Sequence, residues 1–176
     1  MAPQEKAQSE VVDHLERGRQ DFLDAVAGLE ESQATVRPDP ARWSVLDCVE
    51  HVTFVEARFL GWLENAKRVD APQVDKAKEA GVLAGLADRS RRLQAPDAVR
   101  PAGRYATLAQ AIEQFNANRT RSVQFAQDHQ DELYYMALEH PRLGPMNGVE
   151  FMMIVAGHAG RHAAQIRETR SALEKN

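Results

Sequence analysis

Apolar residues recur at helical spacing along four long stretches of the chain. From Gln4 to Glu31 the stripe is Val11, Leu15, Phe22, Val26 and Leu29, with Gly18 in it and charges between, which predicts a first helix. His14, flanked by Asp13 and Glu16 beside this stripe, is expected at a solvated or edge position. Ser32 to Arg42 holds Pro38 and Pro40, which cannot continue a helix and keep the residues before them extended. Ser44 followed by Asp47 then reads as a capping box, with Trp43 placed to fold back as a staple, and a second helix is expected to about Arg68. Cys48, His51, Val55 and Trp62 share its inward stripe. Thr107 with Gln110 opens a third helix, whose stripe of Leu108, Ile112, Phe115, Val123 and Ala126 runs to about Asp128. After HPRLGPMNG, a turn rich in Pro and Gly, Asn147 with Glu150 opens a fourth, to Leu173.

Between Val69 and Ala106 the pattern weakens under Pro72, Gly81, Gly85, Pro96, Pro101 and Gly103, and DKAKEAGVLAGLADRSRRL forms at most one modest helix. A connection of this length frees helices 2 and 3 from being adjacent antiparallel neighbours, allows a crossover over the bundle, and could cover a site as a lid. No segment alternates as a strand does. The expected fold is all-α: a four-helix bundle of antiparallel type, with a long connection between helices 2 and 3, as one domain over residues 1–176.

Composition removes several function classes. A net charge of −4 without a basic cluster lacks the footprint of a nucleic-acid binder. No stretch reaches the roughly 20 apolar residues of a membrane span, and the first residues lack the apolar run of a signal peptide. A lone Cys48 excludes an internal disulfide. A cytoplasmic location is the expectation.

The candidate chemistry lies in GHAGRHAAQIRE. His158 and His162 are four apart on the fourth helix, about 6 Å along its axis, so both imidazoles can grip one metal ion. His51, on the inward stripe of the second helix, is the candidate third ligand. Cys48 shares that face, as a fourth ligand or a small core residue. His129 and His140 are read as structural. Arg119 interrupts the stripe of the third helix; it either snorkels to water or leans in toward an anionic substrate group.

The arrangement of WSxxxxxxH opening the second helix, the HPRLGP loop and HAGRHAAQI on the last helix resembles the DinB-like superfamily of DNA-damage-inducible proteins. The resemblance covers nearly the whole chain, including the APDAVRPAGRY linker. It implies a four-helix bundle that binds a divalent metal through three His, matching His51, His158 and His162. It also implies a range of activities, from S-transferases or isomerases that use low-molecular-weight thiols to metal-dependent hydrolases.

Three neutral imidazoles would leave a divalent ion its full charge and an open position, an arrangement suited to chemistry. Zinc, nickel and iron all suit imidazole. Either a water or a cosubstrate thiol could be activated there, and the position of the base in HExxH is Ala159, which leaves only Asp47 or Glu50 to assist hydrolysis. Thiol transfer demands less, because the metal itself stabilises the thiolate. Hydrolysis, a binder of metal or small molecule without turnover, and a purely structural metal remain the alternatives. A small molecule or thiol is the expected partner, and pairing through a helix face into a homodimer is a further expectation.

Overall fold

A computed structural model describes residues 3–90 and 93–174, with side chains from Glu10 onward. In chain order the elements are α1 (Pro3–Val26), α2 (Glu31–Ala34), α3 (Val45–Glu64), β1 (Lys67–Arg68), α4 (Lys76–Ala87), α5 (Leu108–Asp128), β2 (Met136–His140), β3 (Gly144–Asn147) and α6 (Gly148–Leu173). The fold is a four-helix bundle of α1, α3, α5 and α6, with a small sheet at one end.

The helix starts follow from the caps. Ser44 Oγ accepts from the Asp47 N–H at 3.1 Å while Asp47 Oδ2 accepts from the Ser44 N–H at 2.9 Å. Asn147 and Glu150 form the same reciprocal pair at the start of α6. Thr107 caps α5 through the Gln110 N–H, but Gln110 turns its own carbonyl to Ala106 N. The remaining donors of that end, Leu108 N and Ala109 N, bond the Glu31 carboxylate of α2 at 2.7 and 3.0 Å.

Three expectations need correction. The first helix stops at Val26, and the chain turns at Gly28 with φ 71°. The second stops at Glu64 and not Arg68, because Lys67 and Arg68 pair with Ala137 and Met136 as the edge of an antiparallel sheet. The stretch read as a plain turn is a hairpin, in which β2 pairs with β3 and Gly144 takes φ 73°. Pro145 is accommodated because β3 is an edge strand with a free donor side.

The helix directions also differ from the antiparallel expectation. Thr53, Glu56 and Glu64 of α3 meet Asn118, Arg119 and Arg121 of α5, so these two run parallel. Asp21 and Ala25 of α1 meet Arg167 and Arg170 of α6, a second parallel pair. By contrast His51 and Phe59 of α3 meet His158 and Phe151 of α6, which run antiparallel. The long connection between α3 and α5 is therefore a true crossover, and it lays α4 against α6 on the way.

Two apolar clusters fill the bundle. One gathers Val11, Leu15, Leu60, Phe125, Phe151 and Met152, and the other Phe22, Cys48, Val49, Phe115, Ala163 and Ile166. Between them Arg119, wholly buried, bonds both carboxylate oxygens of Glu56 at 2.8 and 2.9 Å and the carbonyls of Leu15 and Val155. This guanidinium neither snorkels nor faces a ligand. It ties α5 to α3, α1 and α6 at once.

Candidate metal centre

The antiparallel contact of α3 with α6 brings His51, His158 and His162 together. One ligand atom from each lies within 4.8 Å of the others, the one such group found among the described residues. His51 Nε2 is 3.2 Å from His158 Nε2. Two nitrogens bound to one ion at about 2.0–2.1 Å with a tetrahedral angle stand roughly 3.3 Å apart. The spacing fits a shared cation.

Burial prepares the rings for that task. Desolvation pulls the pKa of His51 below the ordinary 6.5, with Arg104 adding to the effect against the Val99 hydrogen bond and Glu50. His158 and His162 are held well below it, first by desolvation, then by His51 and Arg119 at His158 and by His158 and His51 at His162. All three shifts favour the neutral ring, the protonation state a metal requires. His162 Nδ1 is buried with no hydrogen-bond partner, an atom whose unmet capacity a coordinated ion is suited to satisfy. The cluster is compatible with metal binding.

The surroundings fix one ring and cover it. His51 Nδ1–H donates to the Val99 carbonyl at 2.7 Å, and since a carbonyl can only accept, Nε2 is left with its lone pair facing the cluster. Trp43 packs 4.9 Å from the His51 ring and stacks 6.2 Å from His162, so it borders the site as well as the helix start. Gly157 lets α4 close over α6, because a Cβ there would stand 2.8 Å from Leu86 Cδ1. Arg161 Nη1, one residue before His162, donates to the Leu86 and Asp88 carbonyls at the end of α4.

The other sequence candidates lie elsewhere. Cys48 is buried in the apolar core, its thiol pushed far up by desolvation, and stands outside the cluster. Asp47 serves the α3 cap and pairs with Arg37 at 2.9 Å, and Glu50 is committed to the backbone at Ala102 to Arg104. Both carboxylates are engaged by these partners. His14 sits beside Arg17 on α1, half-buried and remote, and His129 caps α5 with its ring on Phe125. Sequence reasoning missed Val99 and Trp43. The former acts through its backbone, which no residue identity signals; the latter was visible as an aromatic seven and eight positions before Glu50 and His51, but read as a staple.

A protein-family model described as the DinB superfamily matches residues 14–166. The uncharacterized protein YuaE of Bacillus subtilis (strain 168) is 21% identical over 148 residues, spanning 84% of this chain and 90% of YuaE. YfiT from Bacillus subtilis, described as a probable metal-dependent hydrolase with an unusual four-helix bundle topology, is similar with a TM-score of 0.61 and 13% identity. That likeness covers 99% of this chain and 90% of YfiT, and shows a shared fold.

Proposed function

The chain belongs to the DinB superfamily, and from that premise we propose that it is a metal-dependent enzyme holding one divalent cation on His51, His158 and His162. The observation that carries this reading is the convergence of three imidazoles within 4.8 Å, one of which, His162, has a buried nitrogen without a hydrogen-bond partner. A divalent ion there supplies Lewis acidity, favouring the deprotonated form of a thiol or a water. The protein supplies the rest. His51 is oriented by the Val99 carbonyl, and Trp43 packs against two of the rings.

Between the two nucleophiles, the commitment of Asp47 and Glu50 to other bonds favours a low-molecular-weight thiol, whose transfer to an electrophile needs no carboxylate base. Hydrolysis is the second reading, supported by the description of YfiT. Zinc, nickel or iron fits the ligand set.

The test is metal analysis of tag-free protein and of His51→Ala, His158→Ala, His162→Ala and His14→Ala. About one ion per chain is expected in the parent and in His14→Ala, with a sharp loss in the other three. Equal content in all five would end the assignment. The loaded protein is then offered a thiol with a chromogenic electrophile, and separately a chromogenic ester. Product in the first assay alone supports thiol transfer, product in the second alone supports hydrolysis, and saturable binding without product supports a non-catalytic binder.

A further inference from the structure

Glu50 precedes His51 on α3, and its carboxylate is almost wholly removed from water, at 2% exposure. A buried charge of this kind needs several donors. It finds them in three successive backbone N–H groups, Ala102 to Oε1 at 2.6 Å and Gly103 and Arg104 to Oε2 at 3.0 Å each, and in Arg104 Nη1 at 2.5 Å. Gly103, at φ 74°, is in the left-handed conformation that lets consecutive N–H groups converge on one anion. Only Arg100 and Pro101 separate this clamp from Val99, whose carbonyl holds His51 Nδ1–H.

The intervening backbone is stiff. Val99 N and Arg100 N close a tight turn onto the Pro96 and Asp97 carbonyls, Pro101 has a fixed φ, and the Arg100 carbonyl accepts a second bond from Arg104. Two consecutive side chains of α3 therefore grip one short rigid segment at two points, the carboxylate at residues 102–104 and the imidazole at Val99.

We propose that Glu50 is a positioning residue for the metal centre: by clamping residues 102–104 it holds the Val99 carbonyl on His51 and keeps that ring's Nε2 lone pair turned to the cluster. The inference rests on the metal reading above. A hydrogen bond to the far nitrogen of a ligating imidazole fixes its tautomer and orientation, and losing such a partner typically weakens metal affinity about 10- to 100-fold.

The experiment uses cobalt(II) alone as the probe, with the full chain and the Glu50→Gln variant, an amide of the same shape that lacks the charge. Cobalt release to excess chelator is followed by recovery of tryptophan fluorescence in a Trp62→Phe background, which leaves Trp43, its indole 4.9 Å from His51, as the reporter. Nitrogen-15 NMR of the metal-free proteins reads the His51 tautomer. The expected result is cobalt release about 10- to 100-fold faster in Glu50→Gln, with a mixed tautomer where the parent shows Nδ1–H, at unchanged helical content. A folded Glu50→Gln with parental release rate and tautomer overturns the inference and leaves the metal reading standing. A parent that takes up no cobalt overturns both. Should Glu50→Gln fail to fold, Arg104→Ala and Gly103→Ala weaken the clamp from the loop side, and the same two readouts decide in the same way.

Discussion

A guanidinium removed from water needs a partner for each of its donors, and Arg119 finds them on three other helices. Because the pair with Glu56 is bidentate and both side chains are buried, removing one partner strands a charge. Arg119→Met or Glu56→Leu alone is expected to cost about 3–5 kcal/mol, read from urea midpoints, while the double variant recovers much of that loss. Singles costing under about 1 kcal/mol would show the pair to be dispensable. Charge matters differently at His140, whose Nδ1 accepts the N–H groups of Arg142 and Leu143 at 3.3 and 3.2 Å. Only the neutral ring can accept, and desolvation followed by the Arg142 charge lowers its pKa from 6.5. Its folded value is therefore below its unfolded one, so the hairpin-tip stabilisation is full above pH 6.5 and is lost as the pH falls through the lowered value. Amide protection at Arg142 and Leu143, corrected for intrinsic exchange, should drop between pH 7.5 and 5, and should be independent of pH in His140→Phe. At this scale the three ligand candidates were legible, because helical spacing and the resemblance both mark them. The role of Arg119 was not, since its partner Glu56 lies 63 positions away on another helix.

Helix starts were the most legible elements, because a cap is local chemistry written in consecutive residues. Ser44 illustrates it: Ser44→Ala removes the acceptor for Asp47 N and should destabilise the protein by about 1 kcal/mol in thermal or urea unfolding, leaving metal content unchanged. Helix ends were less legible, since α3 gives its last expected turn to sheet pairing with β2, a partner some 70 residues on. The hairpin itself was hidden by a stretch too short and too rich in Pro and Gly to alternate visibly. How closely two elements pack is written more faintly still. Gly18 lies where α1 meets α6, and a Cβ there would stand 2.6 Å from the Ala156 carbonyl oxygen, which is backbone and cannot swing aside. Gly18→Ala is expected to push the helices apart at a cost of roughly 1–3 kcal/mol, despite the better helix propensity of alanine. A variant as stable as the parent would mean that the two helices can separate freely.

At the scale of the whole molecule, the packing of the bundle bears on whether a metal held by the three histidines would be its scaffold. Two parallel helix pairs and two antiparallel ones, α3 with α6 and α1 with α5 where Leu15 and Arg19 meet Arg119 and Asn116, are closed by a crossover, which the long, weakly patterned segment after α3 allowed, whereas the parallel directions needed contacts that no single stretch contains. The tie among all four long helices is Arg119, not an imidazole. Removing the metal should therefore lower stability only by the binding linkage, about 2.7 kcal/mol when free ion stands 100-fold above its Kd. For a chain of this length that is a fall in Tm of roughly 5–10 °C, with helical circular dichroism and cooperative unfolding preserved. A structural metal behaves otherwise, because its binding free energy is folding free energy and chelation unfolds the chain. Chelator-treated protein that melts cooperatively at a reduced Tm, and recovers on adding back one ion per chain, supports an open reactive centre on a self-sufficient bundle. Loss of helical signal at room temperature would instead make the three histidines a staple of the fold, and would remove the ground for seeking a substrate there.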